Sequence, residues 1–189
     1  MKIAQQLRKT NICEYLLYMW QVEDTIRAFG LDIDRLQTEY LPAFRLTGEE
    51  LDQETEWLEN LIAMMREEGC QQQGHLQINR GTLSLLIDLH QQLLSSPRHP
   101  FYSTAYYKVL PYIVELRVRS RKGGAEGTAE VQPVGELETC FNCLYGVMLL
   151  RLQKKEITEE TKAAVASISH LLALLADAYK KEKAGDLEL

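Results

Sequence analysis

Residues 136–154 read ELETCFNCLYGVMLLRLQK, and this stretch decides the fold class. Its apolar residues fall on most sides of a 3.6-residue period, a pattern typical of a buried helix. A second long block begins at Thr158 and carries Ile168, Leu171 and Leu175 at steps of three and four. Two such neighbouring blocks need other helices to cover them, so the sequence predicts an all-α fold with a single core packed around them.

Five further blocks of helical periodicity precede these two. Residues 11–29 form the first and strongest, and Gly30 follows it in the position where glycine commonly ends a helix. A short helix is predicted after Asp32. The third helix should begin at a capping box formed by Thr47 and Glu50. Asn79 is the expected N-cap of the fourth helix.

The fifth block, residues 98–122, is ambiguous. Pro111 falls inside it, and the residues that follow, YIVELRVR, alternate as in a strand. A lone strand would have no partner in this chain, so we predict a helix for 112–119. The expected architecture is an irregular bundle of six to seven helices in one domain over residues 1–189. A flexible loop is expected at about 119–135 and a frayed tail at 184–189.

Composition indicates an ordinary globular protein, with 46% hydrophobic and 25% charged residues in a chain of 189. The net charge of −6 argues against sequence-independent binding of nucleic acid, which needs a basic surface. The first residues lack the apolar run of a signal peptide, and no run of 18 apolar residues suggests a membrane span. Four cysteines are too few for a secreted disulfide framework. We therefore expect a soluble cytoplasmic protein.

No phosphate-binding, dinucleotide-binding, zinc-protease or hydrolase motif occurs in the sequence. The expectation is therefore that the protein needs neither a cofactor nor a metal. This lack of motifs favours a binding or interaction role over an enzymatic one.

One face of the 11–29 helix is unusually polar and aromatic. Trp20, Glu23, Asp24 and Arg27 are spaced by three and four, which places their side chains along one face. Two carboxylates beside an arginine could bind a polar or cationic ligand or support acid–base chemistry. The simpler alternative is a solvated face, with a Glu23–Arg27 ion pair that contributes about 0.3 kcal/mol.

Two further candidates for a ligand site come from the middle of the chain. His90 is in step with Leu86 and Leu94 and is therefore predicted to face inward. An inward histidine is more often a hydrogen-bonded core residue than a ligand or a base. Arg117 lies in a basic stretch, residues 98–122, with six bases and one acid, whereas residues 23–68 carry thirteen acids and four bases. The two oppositely charged stretches could attract each other within the fold or across a dimer. An anion could also be bound by the four bases Arg117, Arg119, Arg121 and Lys122. The favoured alternative is that these bases form a solvated face beside the flexible loop.

Cys140 and Cys143 form a C-x-x-C pattern inside a predicted helix. Redox motifs of this type lie at a helix start beside a strand, and zinc would need two more ligands. We therefore expect both cysteines to be buried, reduced and free of metal.

Four segments carry a family resemblance: EYLLYMWQVEDTIRAFG (14–30), GHLQIN (74–79), HPFYSTAYYKVLPYIVELR (99–117) and ELETCFNCLYGVMLLRLQKKEIT (136–158). They resemble an uncharacterised bacterial family of all-helical proteins, catalogued as a domain of unknown function. The resemblance spans nearly the whole chain. It implies an all-helical, cytoplasmic, bacterial protein, and it carries no established activity or catalytic residue.

Two functions follow as hypotheses. The first is a non-enzymatic interaction protein that acts through a helical surface or as a homo-oligomer. The second is a small-ligand-binding protein or enzyme with a polar pocket between the 11–29 helix, the His90 helix and residues 103–119. A filled core with an exposed apolar patch favours the first, whereas a deep polar pocket favours the second.

Overall fold

The computed structural model describes residues 1–123 and 135–189, with the side chains of 120–123 left out. The described residues form eight α-helices and no strand, which confirms the all-α prediction with one helix more than the upper estimate. The helices are α1 (Lys2–Thr10), α2 (Ile12–Ala28), α3 (Ile33–Arg35), α4 (Glu49–Glu67), α5 (Gln77–Ser95), α6 (Pro100–Gly123), α7 (Glu136–Leu152) and α8 (Glu159–Ala184). A π-helical turn (Leu36–Tyr40) and a 3₁₀ turn (Leu41–Phe44) follow α3 directly.

The additional helix is α1, which the apolar pattern did not reveal because its sequence, KIAQQLRKT, is mostly polar. Asn11 separates α1 from α2 and caps the second helix. Its Oδ1 accepts hydrogen bonds from the backbone N–H groups of Cys13 (3.1 Å) and Glu14 (3.2 Å). This satisfies two of the free donors at the start of α2.

The predicted capping box at Thr47 is wrong. Helix α4 begins at Glu49 with Gly48 as its N-cap, and no side chain caps it. Gly48 has a φ of 55°, a conformation that favours glycine, so the backbone turn rather than a threonine hydroxyl sets the helix start. The predicted N-cap Asn79 is also wrong, because α5 already begins at Gln77.

Helix α6 runs through Pro111 without a break, so residues 112–119 are helical, as predicted. Pro111 is exposed, and solvent can satisfy the carbonyl of Tyr107 that loses its usual helical donor there. The helix continues to Gly123, past the predicted start of the loop at residue 119. The remainder of that predicted loop, residues 124–134, lies outside the described residues.

The chain divides into two compact units, residues 1–84 and 85–189. In the first unit, α1 packs on α2, and α4 packs on α2 and α3. Its fully buried residues include Leu16, Met19, Ile26, Leu36 and Met65.

In the second unit, α6, α7 and α8 pack against one another around Ile113, Phe141, Ile168, Leu171 and Leu175. The two long blocks therefore lie in one core, as predicted. Helix α7 is less buried than its sequence suggested, because most residues of its second half are partly exposed.

Helix α8 is long and apolar enough to cross a membrane by length and composition alone. Its apolar residues Ile168, Leu171, Leu172 and Leu175 are buried within the second unit, which accounts for that composition. Gly185 ends the helix in the left-handed conformation. Beyond it, the Glu188 carboxylate lies 2.7 Å from Nη1 of Arg98, so the predicted frayed tail has a contact at the start of α6.

Candidate functional site

The carboxylate of Glu23 is completely buried, with 0% of the residue exposed. Its Oε1 accepts hydrogen bonds from the backbone N–H of Leu76 (2.8 Å) and from Nδ2 of Asn79 (2.6 Å). Its Oε2 lies 2.6 Å from Nδ1 of His75. A buried carboxylate with three hydrogen-bond partners stabilises the segment that leads into α5.

His75 is held on two sides. Its ring stacks on the indole of Trp20, with the ring centres 4.2 Å apart and the planes at 14°. Trp20 is buried, whereas the imidazole of His75 is 31% exposed. Because Glu23 engages Nδ1, the other ring nitrogen, Nε2, points away from the carboxylate.

Arg27 binds backbone carbonyls of the same segment. Its Nε and Nη2 donate to the carbonyl oxygen of Cys70 at 3.3 and 3.1 Å, and Nη2 also donates to the carbonyl of Gly74. Nη1 pairs with Asp24 at 2.7 Å, not with Glu23 as the alternative prediction had it. The planar guanidinium thus bridges α2 to residues 70–74.

The predicted face of the 11–29 helix is therefore one cluster in α2, and it packs on the segment 70–79. The solvated-face alternative is wrong for Glu23, Trp20 and the largely buried Arg27. A ligand-binding role for Trp20, Glu23, Asp24 and Arg27 stays a prediction.

The partners His75, Leu76 and Asn79 were missed by the sequence analysis, although the segment GHLQIN had stood out as part of the family resemblance. Asn79 is fully buried, and its Oδ1 is the one buried side-chain acceptor in the described residues that lacks a hydrogen-bond partner. An unpaired acceptor beside a buried carboxylate is an unfavourable arrangement that a donor such as water would relieve.

His90 and Arg117 belong to the second unit. His90 is 6% exposed, and its Nδ1 lies 2.6 Å from the hydroxyl of Tyr102. Burial lowers the pKa of His90 from its ordinary value, so the neutral imidazole is favoured. His90 therefore faces inward and is hydrogen-bonded, as the sequence predicts.

Tyr106 connects His90 to Glu136 and Arg117. Its ring packs edge-on against His90 with centres 5.3 Å apart, and its hydroxyl donates to Oε2 of Glu136 at 2.6 Å. Burial, followed by the bond to Glu136, raises the pKa of Tyr106 to about 12. Nη1 of Arg117 lies 3.9 Å from Oε1 of the same carboxylate. His90 and Arg117 thus belong to one polar cluster, in which Tyr106 and Glu136 connect them.

The two clusters belong to different units of the chain, so the predicted pocket shared by the 11–29 helix, the His90 helix and residues 103–119 stays a prediction. In each cluster, most of the polar groups form hydrogen bonds or ion pairs with other members of the same cluster.

The cysteines are free thiols. Cys140 is buried, as predicted, and burial raises its pKa to about 12. Cys143 is only half-buried, so the prediction of burial is wrong for this residue. Among residues 1–123 and 135–189, no group of three or more His, Cys, Asp or Glu side chains is arranged to hold a metal ion.

These features define an all-helical protein whose polar clusters link its helices. The family model described as "Domain of unknown function (DUF4924)" matches residues 1–186, and the chain belongs to this family. This confirms the resemblance to an uncharacterised all-helical family. Comparisons with curated proteins and with solved structures give no match.

Proposed function

We propose that this is a non-enzymatic, soluble, cytoplasmic interaction protein of bacteria that works as a homodimer formed through α6. The observation that carries the proposal is a row of exposed apolar residues on that helix. Tyr107 is 67% exposed, Val114 55% and Val118 44%, and exposed Pro111 lies between them. Their spacing of four, three and four residues matches the seam of a two-helix coiled coil.

The size of this apolar row supports a modest interface. Its four residues expose roughly 350 Å², which is within the range of functional surface patches. Two copies, with the flanking side chains included, would bury on the order of 1,000 Å², the lower limit for a specific interface. We therefore expect a dimer with a dissociation constant on the order of micromolar.

Charge favours an antiparallel pairing of the two α6 helices. If Pro111 of one copy faces Val114 of the other, Tyr107 faces Val118, and Lys108 of each copy falls opposite Glu115 of its partner. Two reciprocal ion pairs then flank four apolar layers. In a parallel pairing, Arg117 and Arg119 of the two copies would lie near each other and repel.

The polar clusters support the non-enzymatic part of the proposal. Glu23 and Arg27 engage backbone and side-chain groups of their own unit, and Glu136 engages Tyr106 and Arg117. Buried polar groups with internal hydrogen-bond partners are typical of a structural role.

Sedimentation equilibrium tests the dimer. The wild type should reach twice the monomer mass as its concentration rises through the micromolar range, while Val114→Glu should stay a monomer. Leu152→Glu is the matched control, because Leu152 is 64% exposed on α7, and this variant should still dimerise.

A charge-reversal series tests the register. Lys108→Glu and Glu115→Lys should each weaken the dimer, and the double variant should restore it, because the reciprocal pairs re-form with opposite sign. A wild type that remains monomeric at about 100 times the expected dissociation constant would overturn the proposal. Equal dimerisation of wild type and Val114→Glu would do the same.

A further inference from the structure

The first unit contains a pocket between the start of α1, helices α2 and α4, and the turns that follow α3. Four aromatic residues line it: Tyr18 from α2, Tyr40 from the π-helical turn, Phe44 from the 3₁₀ turn and Trp57 from α4. Val22, Leu41, Leu46 and Leu58 complete an apolar lining. The pocket has a volume of about 80 Å³ and opens to solvent. Its walls therefore suit a small apolar or aromatic group.

The π-helical turn shapes one wall. It contains one residue more per turn than an α-helix, and it leads directly into the 3₁₀ turn. As a result, Tyr40 and Phe44 lie side by side, with ring centres 5.0 Å apart in an edge-on arrangement. Phe44 is 43% exposed, which places it at the opening rather than in the core.

The mouth of the pocket is acidic. Glu50 and Glu54 lie in the lining, and α4 carries further acids in its first turn but no basic residue before Arg66. In the structure, Glu50 contacts Nζ of Lys2, and Glu54 contacts the α-amino group of Met1. Both carboxylates therefore already hold ammonium groups at the edge of an aromatic surface.

We propose that this pocket binds a small organic cation with an apolar or aromatic body and one ammonium group. The body would occupy the aromatic lining, and the ammonium group would lie at Glu50 and Glu54. Aromatic faces attract cations through their quadrupole, and carboxylates at the mouth add charge complementarity.

Competition with Lys2 is consistent with this assignment. Its side chain is 66% exposed and its pair with Glu50 is a surface ion pair, which contributes little to stability. A ligand ammonium tethered to a buried aromatic body gains apolar burial that Lys2 does not, and so it can displace the lysine from Glu50. At Glu54 the ligand would also displace the α-amino group of Met1.

Three probes of similar shape test whether the pocket prefers a cation. Phenethylamine is cationic, 2-phenylethanol is neutral and phenylacetate is anionic. Binding is followed by the NMR signal of the Trp57 indole N–H, assigned with Trp57→Phe. Phenethylamine should shift this signal in a saturable way and bind at least about tenfold more tightly than either other probe. Equal binding of 2-phenylethanol or phenylacetate, or no saturable shift with phenethylamine, would overturn the proposal.

Variants locate the site. Glu54→Gln should weaken phenethylamine binding by about tenfold, whereas Lys2→Ala should tighten it by freeing Glu50. Glu56→Gln is the matched control, because Glu56 is an exposed acid on α4 outside the lining, and it should leave binding unchanged. If Glu54→Gln does not fold, Phe44→Ala replaces it, since its half-exposed side chain can be removed safely and its loss should also weaken binding. Wild-type affinity in the folded Glu54→Gln or Phe44→Ala protein would refute the assignment.

Discussion

The carboxylate of Glu23 and the imidazole of His75 meet at 2.6 Å, although one is fully buried and the other is nearly one-third exposed. The contact joins the centre of α2 to a residue 52 positions later, at the entrance to α5. It makes the α2 face a structural clamp on residues 70–79. We therefore expect mutations on this face to change the stability of the protein first.

Glu23→Gln should lower the free energy of unfolding by about 3 kcal/mol, because an amide can replace only one of the two accepting oxygens and brings an N–H₂ group towards existing donors. Urea denaturation measures the change. Glu67→Gln, at an exposed position near the end of α4, is the control and should unfold like the wild type. If the Glu23 variant shares the wild-type midpoint, the carboxylate is not needed for stability and the clamp is ruled out.

Asn11→Ala should destabilise the protein by about 1 kcal/mol, because the Asn11 side chain caps α2 with two hydrogen bonds. Thr47→Ala should change stability by less than about 0.5 kcal/mol, because no side chain caps α4. Chemical denaturation of the two variants measures both changes and shows whether Asn11 caps α2 while Thr47 does not cap α4. The reverse order of effects would show that α4 begins at Thr47 after all.

Cys143 should react with a thiol reagent faster than Cys140 in the folded protein. Cys140 is completely buried and burial raises its pKa to about 12, so at pH 8 it forms almost no thiolate, whereas Cys143 is half-buried. Mass spectrometry of digested, pulse-labelled protein measures both rates. Unfolding in urea should make the two rates similar, and this serves as the control. Equal rates in the folded state would contradict the burial of Cys140.

Stability should decrease as the pH falls below about 6.5, with His90 as one cause. Its pKa is lowered in the folded state by burial beside Tyr102 and Tyr106, so the unfolded chain takes up a proton more readily. The contribution is present above the unfolded pKa and is lost as the pH falls towards the lower folded value.

The measurement is the free energy of unfolding of the wild type and of His90→Gln between about pH 7 and pH 5. The wild type should show the steeper decrease. His170→Gln, at an exposed position on α8, should follow the wild type. Parallel curves for wild type and His90→Gln would mean that the neutral imidazole makes no pH-dependent contribution.

The sequence predicted which residues share a helix face better than it predicted what covers that face. The spacing of Trp20, Glu23 and Arg27 follows from helical geometry, and the structure keeps them together. Their partners His75 and Asn79 lie some fifty residues away, and nothing in their local pattern indicates that pairing. The residue type of Asn79 favours a helix cap, but its amide instead donates a hydrogen bond to the buried carboxylate of Glu23.

Local signals also failed where the backbone departs from regular geometry. Thr47 and Glu50 satisfy the spacing of a capping box, yet the positive φ of Gly48 places the helix start one residue later. In contrast, the sequence predicts a helix at 112–119 correctly, because a strand there would lack a partner. The surrounding fold determines both the start of α4 and the helix at 112–119. Only the helix at 112–119 can be argued from the sequence.

The π-helical turn at Leu36–Tyr40 lets the chain carry one extra residue without redirecting the segments on either side of it. Such a turn is an α-helical turn with a single inserted residue, and its wider winding absorbs the rotation of about 100° that an insertion would cause in a regular helix. Deleting one residue between 36 and 39 would therefore restore regular winding and leave Tyr40 and Phe44 facing the pocket. Among relatives of this protein, a one-residue gap in this segment is thus compatible with an aromatic pocket.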